Sequence, residues 1–222
     1  MKIFCTASSD SYITNKIIGE RLRADDANVG RAGTLDLFKL YDETKLNGSS
    51  SLHEGSRLLI KFDLTKASSL MSSKLNTNSP NFSAKIKLFD ISDGHAVPSN
   101  FTVIAHPLNQ AFDEGAGRNI TSFSDLGAVN FVTASIVNSS PVLWHASGAN
   151  AEGSLNSNDI DIIGSGTLSG VTSYLYGTQL FREGTEDLSI DVTKAISGTL
   201  SGQVPNHGFR IAFSGTDDSD EK

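Results

Sequence analysis

The chain has 222 residues, 38% hydrophobic and 19% charged, with a net charge of −7. That is enough apolar material for one packed domain spanning 1–222, and too much for a disordered chain. No cluster of Lys or Arg stands out, so the acidic balance argues against nucleic acid and anionic membranes as partners, and no apolar run is long enough for a membrane-spanning helix.

The first element expected is a strand at "KIFCT", with the single cysteine, Cys5, buried in it. One cysteine makes no internal disulfide and builds no metal site alone. The N-terminus turns polar at once, so no secretion signal is read there. "TLDLFKLY" (34–41) sets Leu35 and Leu37 against Asp36 and Phe38 with a period of two. "RLLIKFDL" (57–64), "AKIKLFDIS" (84–92) and "NFTVIAHPL" (100–108) are further strands, and "IDIIG" (160–164), "DLSIDV" (187–192) and "HGFRIAFSG" (207–215) follow. Turn residues such as "NGSS", "SDG" and "GSG" punctuate them. Two short helices are predicted, over 63–75 behind Asp63 as an N-cap and over 191–203, where Gly198 weakens the pattern.

The fold class implied is all-β: two antiparallel sheets in a jelly-roll sandwich, with one or two short helices and a long loop over roughly 109–158. The chain ends "GFRIAFSGTDDSDEK", with nothing to close the sheet after its last strand. An open C-terminal edge, available to another chain, is the expectation.

The long loop holds "AFDEGAGRN" (111–119), which brings Asp113, Glu114 and Arg118 around two glycines. Adjacent acids in an extended segment point to opposite sides, so Asp113 and Glu114 are a poor hydrolytic pair, and nothing selects Asp125, Asp159 or Asp161 as a partner. His53, His95, His106, His145 and His207 sit at no metal-ligand spacing, and neither G-x-S-x-G nor a phosphate-binding glycine loop occurs. No enzyme and no cofactor is read from the sequence. A structural calcium stays open at Asp10, Asp113, Glu114 and Asp187, where acids near turns could gather oxygens. The acidic "DDSD" (217–220) is expected to be solvated. Trp144, the only tryptophan, is either a stacking platform for a sugar or a core residue. For the loop itself the expected role is a brace: Phe112 packs inward and Asp113 or Glu114 pairs with Arg118.

The series "SDSYITN…ANVGRAGTLDLFKLYDE…SRLLIKFDLT…AKIKLFDIS" resembles the DNRLRE-type, or disaggregatase-related, β-sandwich domain. The positions carrying the likeness are Asp10, Tyr12, Asn28, Gly30, Leu35, Arg57, Leu59, Phe62 and Asp63, with "DLSIDVTKAI…GFRIAF" near the end. A tryptophan-rich segment of that family is altered here, with Phe112 and Glu114 at its start and Trp144 much later. The resemblance implies a non-catalytic jelly-roll, in a version similar to those of tailed-phage virion proteins. The function expected is therefore a structural protein of a bacteriophage virion, in the capsid decoration, neck or tail. It would assemble in the host cytoplasm and contact other virion proteins in an oligomeric assembly through sheet edges and the loop. A carbohydrate-binding module, with a glycan as partner, is the alternative.

Overall fold

The computed structural model describes residues 1–19, 21–41, 53–71, 73–91, 97–122 and 127–215. The fold is all-β with two short helices. In chain order the elements are β1 (Ala7–Thr14), β2 (Ile17–Ile18), β3 (Leu22–Arg23), β4 (Lys39–Tyr41), β5 (His53–Phe62), α1 (Thr65–Leu70), β6 (Lys85–Leu88) and β7 (Phe101–Pro107). Then come β8 (Thr133–Val137), β9 (Ser140–Leu143), β10 (Glu152–Ser154), β11 (Ile162–Leu168), β12 (Val171–Tyr174), β13 (Gly177–Phe181), β14 (Leu188–Asp191), α2 (Thr193–Leu200) and β15 (Phe209–Phe213).

The main sheet has the order β1-β5-β15-β7-β13, every neighbour antiparallel, and β4 also pairs with β5. The last strand is therefore central, which corrects the expectation of an open C-terminal edge. Phe209 stands opposite Ile60 on one side and Pro107 on the other. All five residues of β15 are buried, and a strand covered on both faces belongs inside a sheet. The acidic 217–220 lies outside the described residues.

Both faces of this sheet carry a core. On one, Tyr12, Leu58, Ile60, Val103, Phe209 and Ile211 meet Ile86, Leu188 and Ile190 of the β6–β14 ladder and Ala195 of α2. Phe101 stacks on Phe181 at 5.0 Å and meets Phe213 edge-on at 5.3 Å. On the other, Ile13, Leu59 and Leu108 pack against Phe112, Val129, Ala134, Trp144 and Ile162. Two-sided burial is why "RLLI" is a continuous apolar run rather than an alternating one. Each such side chain taken out of water stabilises the fold by about 1.5–3 kcal/mol.

Both helices start as D-x-T. Asp63 Oδ1 accepts the Thr65 N–H at 2.9 Å, and Asp191 Oδ1 accepts that of Thr193 at 2.9 Å. Each carboxylate satisfies an amide that the first helical turn leaves unpaired. Gly198, unfavourable for helix propensity, is required by packing, since a Cβ there would lie 2.6 Å from Val204 Cγ2.

Three sequence expectations shift. The first strand begins at Ala7, and Cys5 precedes it, only partly buried. Of "TLDLFKLY" only Lys39–Tyr41 is strand, because the Ser56 hydroxyl bonds the backbone at Asp36 and Phe38 instead. The presumed loop 109–158 contains the β8–β9 hairpin and β10. The hairpin turns at Asn138 and Ser139, both with positive φ and no glycine to announce it.

Candidate functional site

The segment 111–119 is seated on Asn28, which is fully buried. Asn28 Nδ2 donates to the carbonyls of Glu114 and Val129, both at 2.8 Å, and Oδ1 accepts the Gly117 N–H at 2.7 Å. The Arg31 N–H donates to the Gly117 carbonyl at 2.7 Å. Two backbones this close leave no space for a side chain. A Cβ at Gly30 would lie 1.9 Å from the Glu114 carbonyl oxygen, and one at Gly117 would lie 1.8 Å from that of Asn28.

The side chains of the segment then divide. Phe112 packs into the second core, as expected. Asp113 Oδ2 accepts the Ile136 N–H at 2.8 Å, holding the β8–β9 hairpin, and Glu114 Oε1 accepts the Asp10 N–H at 3.0 Å on the outer edge of β1. Arg118 is exposed, and among the described residues no ion pair joins it to either acid. The segment is a brace, but backbone amides rather than the arginine hold its carboxylates. Burial, and then the neighbouring Glu114 charge, push the Asp10 carboxyl above its ordinary value.

Trp144 is 5% exposed, and its Nε1 donates to the Asn130 carbonyl at 3.0 Å. Of its two readings, platform or core, this selects core: Trp144 belongs to one buried cluster with Val129, Ala134 and Ala149. The turn that follows it is organised by Asp161, fully buried at the start of β11. Its carboxylate accepts the N–H groups of His145 at 2.8 Å and of Ala146 and Ala151 at 3.0 Å. Arg57 closes the same turn, donating to the Gly148 carbonyl at 2.9 Å with its guanidinium 5.6 Å from the Phe131 ring centre.

The other candidate groups stay apart. Asp187 Oδ1 accepts the Asp90 N–H at 3.0 Å at the end of the β6–β14 ladder. Among the described residues no three of His, Cys, Asp and Glu gather as a metal site would need. His106 is buried in β7 with its ring 5.0 Å from Tyr176, and His145 Nδ1 lies 3.8 Å from Asp159 Oδ1. Burial and Lys61 push the His207 imidazole down, while burial and Asp36 push the Tyr12 hydroxyl up to about 12. Asp125 and His95 lie outside the described residues.

What the surface offers is shape and hydrogen bonding. A groove of about 550 Å³ runs between α2, the chain after α1 and the β11–β12 hairpin. Asn76, Asn78, Ser173 and Gln203 line it, and among the described residues Lys194 is its one charged lining residue, with no acid beside it to form an acid–base pair. A second hollow of about 240 Å³ lies by Glu54, whose buried Oε2 accepts the Ile17 N–H at 2.6 Å. Side chains reach out from or onto both outer strands of the main sheet. Glu114 accepts one N–H of β1, that of Asp10, and from β13 the Gln179 amide reaches the β14 segment, donating to the Asp187 carbonyl at 3.0 Å and accepting the Ser189 N–H.

Sequence reasoning missed Asn28 and Asp161 as anchors and Gln179 as the link from β13 to β14. Asn28-x-Gly30 was visible as a spacing, but only the approach of residues 114–117 gives it a role. No family model, curated protein or solved structure matches the chain.

Proposed function

We propose that the chain is a non-catalytic structural protein of a bacteriophage virion, a capsid-decoration, neck or tail component that works by surface contact. The observation that carries this reading is the use of its acids. Asp161, Asp113 and Glu114 each accept backbone N–H groups and so stiffen the frame. A carboxylate held this way is poorly placed to turn over a proton or a substrate. The sequence resemblance supplies the particle context.

The finer fold reading is a jelly-roll sandwich. Its support is the β6–β14 ladder lying over the main sheet across the larger core, with Gln179 linking β13 to β14 where one layer passes to the other. Contacts with other virion proteins would run through the edges of the main sheet and the long segment over 109–158.

The test is chemical cross-linking of purified particles followed by mass spectrometry. The chain should be present in stoichiometric amounts and cross-linked to other particle proteins. Its absence from particles that retain full infectivity would overturn the reading.

A further inference from the structure

We propose that the outer face of the β10–β11–β12 sheet is a binding site for a neutral glycan, with Tyr174 as its stacking platform. Tyr174 sits on β12, directly across from Ser165 of β11, and is 68% exposed. Its ring is not isolated. Tyr176 lies 5.1 Å away, and His106 a further 5.0 Å on from Tyr176. The buried His106 imidazole thus backs the outer two rings, so the platform is held in place before any ligand arrives.

Around the rings the sheet presents hydroxyls. Ser154 meets Ser165 at 3.1 Å, and Thr167 meets Thr172 at 2.7 Å. The i, i+2 alternation puts Ser165 and Thr167 on one face, and Thr172 and Tyr174 on the matching face of the next strand. Within each hydroxyl pair one proton is shared, which leaves a second proton and free lone pairs turned to solvent. Flat aromatic faces beside fixed donors and acceptors match the alternating C–H and O–H faces of a pyranose ring.

Charge selects among glycans. Near these rings Glu152 carries a full negative charge, with its Oε2 3.8 Å from His106 Nε2 and its side chain half exposed. Gly164 gives it room, since a Cβ there would come within 2.0 Å of Glu152 Oε1. A carboxylate at the rim disfavours uronate and sulfated chains and can accept hydrogen bonds from neutral sugar hydroxyls. The inference does not depend on the chain being a particle component. It replaces Trp144, which is buried, with a residue that a ligand can reach.

The experiment is NMR titration of the whole chain with neutral cello-, xylo- and manno-oligosaccharides, and with an oligo-uronate as the anionic control. Binding of at least one neutral oligosaccharide, with shifts at the Tyr174 and Tyr176 ring signals, is expected. Tyr174→Ala should weaken it about tenfold, and Tyr174→Phe should retain it. Tyr174 is exposed, so its replacement leaves the fold intact, which unchanged backbone signals verify. No binding by any neutral sugar, binding indifferent to Tyr174→Ala, or preference for the oligo-uronate would each overturn the proposal. None of these results bears on whether the chain is found in particles.

Discussion

The two faces of the main sheet are held by different physics. Over one face the contacts are hydrocarbon and aromatic, from Tyr12, Ile60, Phe209 and Ile211 to Ile190 and Ala195. Over the other, an apolar cluster of similar kind is framed by buried polar groups: Asn28, Asn130, Asp161 and the amides they hold. The first face is held by area and shape, which many side chains can supply. The second is held by directional bonds, and a buried amide that loses its acceptor costs its full desolvation. The segment over the second face has little regular structure between Pro107 and Ile162, so its backbone groups need these side-chain partners.

Substitutions should separate the two regimes. The largest effect is expected from Asp161→Ala, which strands three backbone N–H groups. It should lower unfolding free energy by about 4 kcal/mol, read as a urea midpoint shift at unchanged slope. A loss under 1 kcal/mol would mean that water reaches those amides. Asn28→Ala should follow, at about 3 kcal/mol, and should free residues 114–117, seen as faster amide exchange at Gly117. Ile190→Val on the other face should cost only about 1 kcal/mol. If it matches the polar substitutions, the contrast between the faces is lost.

The smallest effect is one of charge. Burial and Glu114 raise the Asp10 carboxyl, so its ionised form opposes folding at neutral pH. Asp10→Asn should therefore stabilise the protein by up to about 0.5 kcal/mol at pH 7 after solvent screening. The gain should vanish as pH falls below the carboxylate range, because Asp10 is then neutral in both the folded and the unfolded state. Asp63 and Glu186 have the opposite sign. The Thr65 hydroxyl and N–H hold Asp63 low, and the N–H groups of Arg182, Glu183 and Gly184 hold Glu186 low. Their stabilisation is present above the unfolded value of about 4 and is lost as pH falls through their folded values. Asp63→Asn should flatten the acid limb of a melting-temperature profile, whereas Asp10→Asn should steepen it.

The contrast also explains what was legible. Apolar runs at 57–64, 84–92, 100–108, 187–192 and 207–215 marked β5, β6, β7, β14 and β15, because strand period and burial are written in consecutive residues. Phe112 as an inward anchor was legible for the same reason. The β8–β9 hairpin was not, since its turn at Asn138 and Ser139 lacks the usual glycine. Arg118 was misassigned because proximity in sequence suggested a pair. The carboxylates instead met N–H groups of Ile136 and Asp10, the latter 104 residues away along the chain. For Trp144 the flanking Val142 and Leu143 pointed to core without excluding a platform, and the structure buries it.

Alone, the order of amino acids settled that strands dominate, that two short helices follow near residues 63 and 191, and that runs such as "RLLI" supply core. Those properties depend on a residue and its near neighbours. Only the folded chain decided that the last strand lies at the centre of the sheet, that Asn28 and Asp161 hold the long segment, and that Trp144 is buried while Tyr174 is exposed. These depend on which distant backbones come within hydrogen-bonding reach, a distance that no local pattern encodes.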